Sequence, residues 1–168
     1  MALPNIYRQN NKGFTLIEIL VVMAILAAII GFGLLISFDA YKSYSFSAEK
    51  NNLITILQKA RNQSLDNINQ TRHGVHFQAS PLTYVLFECP STNPQCTAYA
   101  PSSKDVTIDV SYAVSITDPV PLPFDIVFDQ LNGNCVTSNC TTKPLNITLS
   151  SAGKFHTISI NSEGRIDW

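Results

Sequence analysis

Three regimes of hydrophobic patterning follow one another along the 168-residue chain. The first is continuous. From Ile19 to Phe38 twenty residues pass without a charge, and as a helix they would reach roughly 30 Å, about the hydrocarbon thickness of a bilayer. A membrane span is the leading reading. A secretory signal peptide or a buried core helix is the alternative, but a signal peptide has a shorter apolar region that ends in a small-residue cleavage site. The downstream edge, "LLISFDAYKSYSF", offers no A-x-A site of that kind.

The second regime has the period of a helix. After Asp39, apolar or small residues recur at Tyr41, Tyr44, Ala48, Leu53, Leu57, Ala60, Ser64 and Ile68, widened by Ile54, Ile56 and Leu65. Steps of three and four put them on one face, while Lys50, Asn51, Lys59, Arg61 and Asn62 fall largely on the other. No proline occurs between Phe14 and Ser80, so the pattern predicts one helix over about residues 14 to 68. Gly31 and Gly33 are its weak points.

Beyond residue 72 the period becomes two. "HGVHFQA", "TYVLFE", "VTIDVSYAVSI", "DIVFDQL", "LNITLSS" and "FHTISIN" are β-branched or aromatic runs separated by Pro, Gly, Asn and Ser, the pattern of successive antiparallel strands. "PVPLPF", residues 119 to 124, cannot be central strand, and "NSEGRIDW" predicts a turn at Glu163 and Gly164 into a short last strand. The fold class is therefore α+β. A long N-terminal helix, with a membrane half over 14–38 and an amphipathic half over 39–72, packs on a small antiparallel β domain over 73–168.

Charge orients this arrangement. Arg8 and Lys12 precede the span with no acid beside them, which by the positive-inside bias leaves the N-terminal segment in the cytoplasm and the rest of the chain outside it. Hydrophobic residues make up 45% of the chain and charged ones 14%, with the apolar share concentrated in the span. All four cysteines lie in the C-terminal half as two near pairs, and four cysteines allow three connectivities. Sequence-local pairing, Cys89 with Cys96 and Cys135 with Cys140, is favoured because "CPSTNPQC" and "CVTSNC" carry the Pro, Asn and Ser that turn a chain back. Each closure would contribute roughly 2 kcal/mol. A four-thiolate zinc site competes, but the first spacing is wide for zinc and an oxidising compartment disfavours free thiols.

The start of the span carries a more specific pattern. Gly13, Phe14, Thr15, Leu16, Ile17 and Glu18, followed by the apolar run, resemble the class III signal of type IV pilins and type II secretion pseudopilins. More weakly, the chain resembles the H-type minor pseudopilins and FimT-like minor pilins. "LQKARNQSL" (57–65) leads into the strands, "FDQLNG" (128–133) is one residue longer than the corresponding element in that group, and "ISINSEGRI" (158–166) is similar to its terminal pattern. The resemblance implies a cytoplasmic leader over residues 1–13 and a cut after Gly13 by a membrane prepilin peptidase, which also methylates the new amine of Phe14. The expected partners are that peptidase, other pilins or pseudopilins in a filament, the inner membrane and its assembly platform.

Glu18 is then the residue that needs a reason. An ionised carboxylate in lipid costs roughly 3 kcal/mol on insertion scales, and after the cut the mature chain holds no other ionisable side chain until Asp39. The resemblance implies that Glu18 of an incoming subunit meets the α-amine of Phe14 on a neighbour and sets its axial offset. A carboxylate snorkelling to the interface near the helix start is the competing reading.

Other chemistry is sparse. His73 and His76, three apart on a strand, point to opposite faces and do not make a metal pair. No Ser, Cys or Asp stands in a nucleophile motif, no glycine loop suits a phosphate, and neither enzyme activity nor a cofactor is expected. Sequons at Asn62, Asn69, Asn139 and Asn146 are common by chance. DNA binding, linked in some FimT-like pilins to a basic end resembling "GRxR", is opposed by Asp167, which sits where the second Arg would be. From His73 onward four Lys or Arg face eight acids, a net of −4, the wrong sign for a phosphate backbone. The expected function is a minor pseudopilin of a type II secretion system, with a type IV minor pilin and a DNA-binding competence pilin as alternatives.

Overall fold

A computed structural model describes residues 13–111, 114–118 and 121–168. The leader, apart from Gly13, and its cations Arg8 and Lys12 lie outside the described residues, as do Pro119 and Val120 of the proline-rich connection. The chain divides into two compact units, one ending at Ala40 and the other running Tyr41–Trp168. Helix α1 (Leu16–Leu65) belongs to both and continues through Gly31 and Gly33 without a break.

In the first unit the window Leu16–Gly33 is long and apolar enough to cross a membrane, and none of it is buried. It is apolar on every side, so no face of it is reserved for a protein core.

In the second unit α1 ends at Leu65, three residues earlier than its apolar pattern. Asn67, Asn69 and Gln70 take positive φ around a short 3₁₀ turn (Ile68–Gln70). Asparagine tolerates the left-handed region because its short polar side chain bonds locally, so the polar run "DNINQ" turns the chain into strand β1.

Two four-stranded antiparallel sheets follow. β1 (His73–Ala79), β2 (Leu82–Glu88), β3 (Val106–Asp109) and β5 (Phe124–Phe128) form one in the order β3-β2-β1-β5. β4 (Ser115–Asp118), β6 (Leu145–Ser151), β7 (Lys154–Ile160) and β8 (Ile166–Asp167) form the other in the order β4-β6-β7-β8. The run "VTIDVSYAVSI", expected as one strand, is thus two strands in different sheets. A helical turn, α2 (Ser138–Thr141), closes the second cysteine loop and takes in Cys140, where the sequence suggested only a turn.

The core explains the pattern. Leu53, Leu57 and Ala60 of α1 lie in one buried cluster with Val75 and Phe77 of β1, Ile126 of β5 and the inward isoleucines of β6 and β7. Sheet β3-β2-β1-β5 is covered on its other side as well. There Phe87 and Val127 pack with Cys89, Cys96, Tyr99 and Val136, so β2 is buried along nearly its whole length and does not alternate. Gly74 makes this double cover possible, since a Cβ there would stand 2.5 Å from the Ile126 carbonyl oxygen and against the Phe87 ring.

Candidate functional site

The N-terminal segment is built around a helix start. Gly13 and Phe14 precede the helix, and Phe14 is 81% exposed. Thr15 is the N-cap: its carbonyl accepts the Ile19 N–H at 3.3 Å, and its Oγ1 accepts the Glu18 N–H at 3.3 Å. Glu18 therefore occupies the third helical position of a Thr-x-x-Glu capping box. A carboxylate in the first turn also lies near the positive end of the helix dipole. Among the described residues the reciprocal bond, from the Thr15 N–H to the Glu18 carboxylate, is not formed. Glu18 lines a shallow apolar groove with Phe14, Ile19, Val22 and Met23.

This capping role is one the chemistry-led sequence reading missed. The signal for it was present, because Thr15 stands three residues before Glu18 at the head of an apolar run.

Residues 8–36 match the family described as the prokaryotic N-terminal methylation motif. The chain carries this motif. The matched span takes in Gly13, Phe14 and Glu18 and most of the apolar run, and it supports a type IV pilin-like subunit processed by prepilin peptidase. No curated protein and no solved structure matches the chain.

Away from the span, the three segments that carry the wider likeness meet at one corner of the β unit. Arg61, from "LQKARNQSL", donates through Nε to the Gly133 carbonyl at 3.3 Å and through Nη2 to the Glu163 carbonyl at 3.4 Å. Ser64 Oγ donates to the Phe128 carbonyl and accepts the His73 N–H, at 3.0 and 2.9 Å. The Leu131 N–H returns to the Ser64 carbonyl at 3.0 Å. Gly133 (φ +64) and Gly164 (φ +70) both take the left-handed conformation that glycine adopts without cost. A Cβ on Gly164 would also stand 1.9 Å from the Gly133 carbonyl oxygen. "FDQLNG" and "SEGR" are thus two turns pressed together and held by one arginine from the helix.

Both sequence-local cysteine pairs are disulfide-bonded, with Cα–Cα distances of 5.6 Å for Cys89–Cys96 and 6.1 Å for Cys135–Cys140. Near the first, Arg72 Nε pairs with Asp129 Oδ1 at 2.7 Å and its Nη1 donates to the Gln95 carbonyl at 2.7 Å. Burial pushes the Asp129 carboxyl up, but Arg72 and Asn132 outweigh it and hold its pKa below the ordinary value.

The two histidines of β1 go to different environments. His73 is buried with Nε2 3.9 Å from Glu88, and burial lowers its pKa against that carboxylate's attraction. Glu88 itself pairs with Lys104 and accepts from Asn69 Nδ2 at 2.6 Å. His76 Nδ1 bonds Asp125 at 2.6 Å and stacks on Tyr99, whose N–H also donates to Asp125. Among the described residues no group of three His, Cys, Asp or Glu could hold a metal ion. At the C-terminal end, Arg165 Nη2 lies 3.0 Å from Asp167, so its charge is partly answered within the chain.

Proposed function

We propose that the chain is a structural subunit of a pilin-like filament, cleaved after Gly13 and methylated on the amine of Phe14. Residues 14–38 anchor it in the inner membrane, and the β domain stands in the periplasm until the subunit joins other pilins on the assembly platform. The observation that carries this reading is the methylation motif over residues 8–36, with its acid at the fifth position after the cut. The unfilled reciprocal cap supports it further. Glu18 spends no hydrogen bond of its own carboxylate on Thr15, which leaves that carboxylate for a neighbour's amine.

Within this class we assign the chain to the minor pseudopilins of type II secretion. The convergence of 57–65, 128–133 and 158–166 on Arg61 supports an H-type or FimT-like β domain, because it gives those segments one structural reason to occur together. A type IV minor pilin shares that support. A DNA-binding pilin is disfavoured by the −4 charge from His73 onward and by the Arg165–Asp167 pair. A structural and not an enzymatic role follows from the same assignment. Deleting the gene tests it: we expect loss of protein secretion across the outer membrane with pili intact. Lost pili with normal secretion would move the subunit to the pilus.

A further inference from the structure

Among the described residues of the Tyr41–Trp168 unit, the three most exposed aromatic side chains are Tyr41 at 71%, Tyr44 at 76% and Phe155 at 69%. They lie at one end of the unit. Tyr41 and Tyr44 are three apart and share a helix face. Phe155 follows Lys154, whose Nζ donates to Ser43 Oγ at 2.7 Å, so the β6–β7 hairpin is tied to the same helical turn. Its tip turns through Ala152 and Gly153, both at positive φ.

Cations mark the same end. Lys42 and Lys154 are exposed, and Lys50 stands near enough to His156 to help burial lower that histidine's pKa. From Tyr41 to Lys50 the one acid is Glu49, which is buried with its pKa raised chiefly by that burial. Residues 151–156 hold no acid. Basic and aromatic side chains in one layer are the composition found where a protein meets lipid headgroups, the rings sitting at the interface and the lysines answering anionic phosphates.

Distance limits what this end can meet. Ser43 is five residues past Phe38, where the uncharged run ends, and both belong to α1. Five residues rise about 8 Å as helix and span at most about 18 Å even fully extended. A headgroup layer is about 5–8 Å deep on each side of a bilayer, and the potential of an anionic surface decays over about 8 Å at physiological salt.

We propose that Tyr41, Lys42, Tyr44, Lys154 and Phe155 form a lipid-facing footprint that seats the β unit on anionic headgroups while the subunit waits in the membrane. This rests on the membrane-anchored reading above. Phe155 and Lys154 are its telling members, because they come from a strand hairpin more than a hundred residues beyond the span and meet the membrane only through the fold.

The test uses the full chain with Phe155→Trp in a Trp168→Phe background, so that the introduced indole is the sole tryptophan. It is reconstituted into vesicles of phosphatidylethanolamine and phosphatidylglycerol, with and without lipid brominated near the headgroup. We expect the protein to float with the vesicles and the emission to be quenched at least two-fold. Quenching should weaken when Lys42 and Lys154 are both changed to Gln, or when phosphatidylcholine replaces the anionic lipid. A protein that floats but is not quenched overturns the footprint and leaves the anchoring intact. A protein that does not float overturns the anchoring and the footprint with it. Quenching that follows the protein-to-lipid ratio in place of lipid charge assigns the surface to a second copy of the chain and overturns the proposal.

Discussion

Helix α1 answers to two solvents. Over Leu16–Gly33 its leucines, isoleucines and valines are exposed on every side and no residue is buried. Over Leu53–Ala60 the same residue types are buried against two sheets, and the polar residues are confined to the far side. Hydrogen bonding and geometry do not distinguish the two stretches. The difference lies in how the apolar surface is distributed: a stripe identifies a protein core, and an all-round cover identifies an environment that is itself apolar.

Two acids of the helix, Glu18 and Glu49, sharpen this contrast. Glu49 is buried in the protein, where Oε2 accepts the Ser111 N–H at 3.4 Å and Oε1 has no partner. The buried Tyr84 hydroxyl lies beside it without a hydrogen bond of good geometry, and burial pushes the phenol's pKa up as well. Glu49 meets its environment by resisting ionisation. Glu18 has a backbone cap and an open carboxylate, and in the function proposed above its partner is the amine of another subunit.

Several substitutions separate the two halves. The largest effect is expected at the cleavage site: Gly13→Leu should leave essentially all of the protein as precursor, visible as a mass shift of the leader, without altering the β unit. Next, Leu57→Ala should destabilise the β unit by about 3 kcal/mol, the cost of a buried cavity, in thermal or denaturant unfolding of the full chain in detergent. Ile25→Ala should leave that transition unchanged, because Ile25 is exposed and, among the described residues, no core residue packs on it. An equal loss from both would erase the distinction between stripe and cover.

The smallest effect concerns Glu49. An acid whose pKa is raised by folding weakens the fold once pH exceeds its unfolded value, near 4.5, because the unfolded chain then ionises more readily. Glu49→Gln keeps an acceptor for Ser111 and should stabilise the unit by on the order of 1 kcal/mol at pH 7. The gain should vanish as pH falls below about 4.5. A gain that persists there would locate its cause outside ionisation.

Much of this was legible in the residues. The period changes at Asp39 and His73 marked the regimes of the chain, and β1, β6 and β7 begin and end within a residue of their alternating runs. Two features were not legible because they depend on tertiary partners. β2 reads as alternating but is buried on both faces, since the disulfide loop beyond Cys89 folds back over Phe87. "VTIDVSYAVSI" reads as one strand because propensity does not reveal that its halves pair with different sheets. At the N-terminal segment the spacing of Gly13, Phe14 and Glu18 was plain, whereas the cap from Thr15 belongs to the Glu18 backbone N–H and does not follow from the Glu18 charge.

The central claim is that Glu18 is retained for a partner supplied by another subunit. Processing and filament incorporation of Glu18→Ala, measured together in cells, test it most directly. The account predicts normal removal of the leader with the subunit missing from sheared or overexpressed filaments. Processed Glu18→Ala subunits entering filaments at the wild-type level would contradict it.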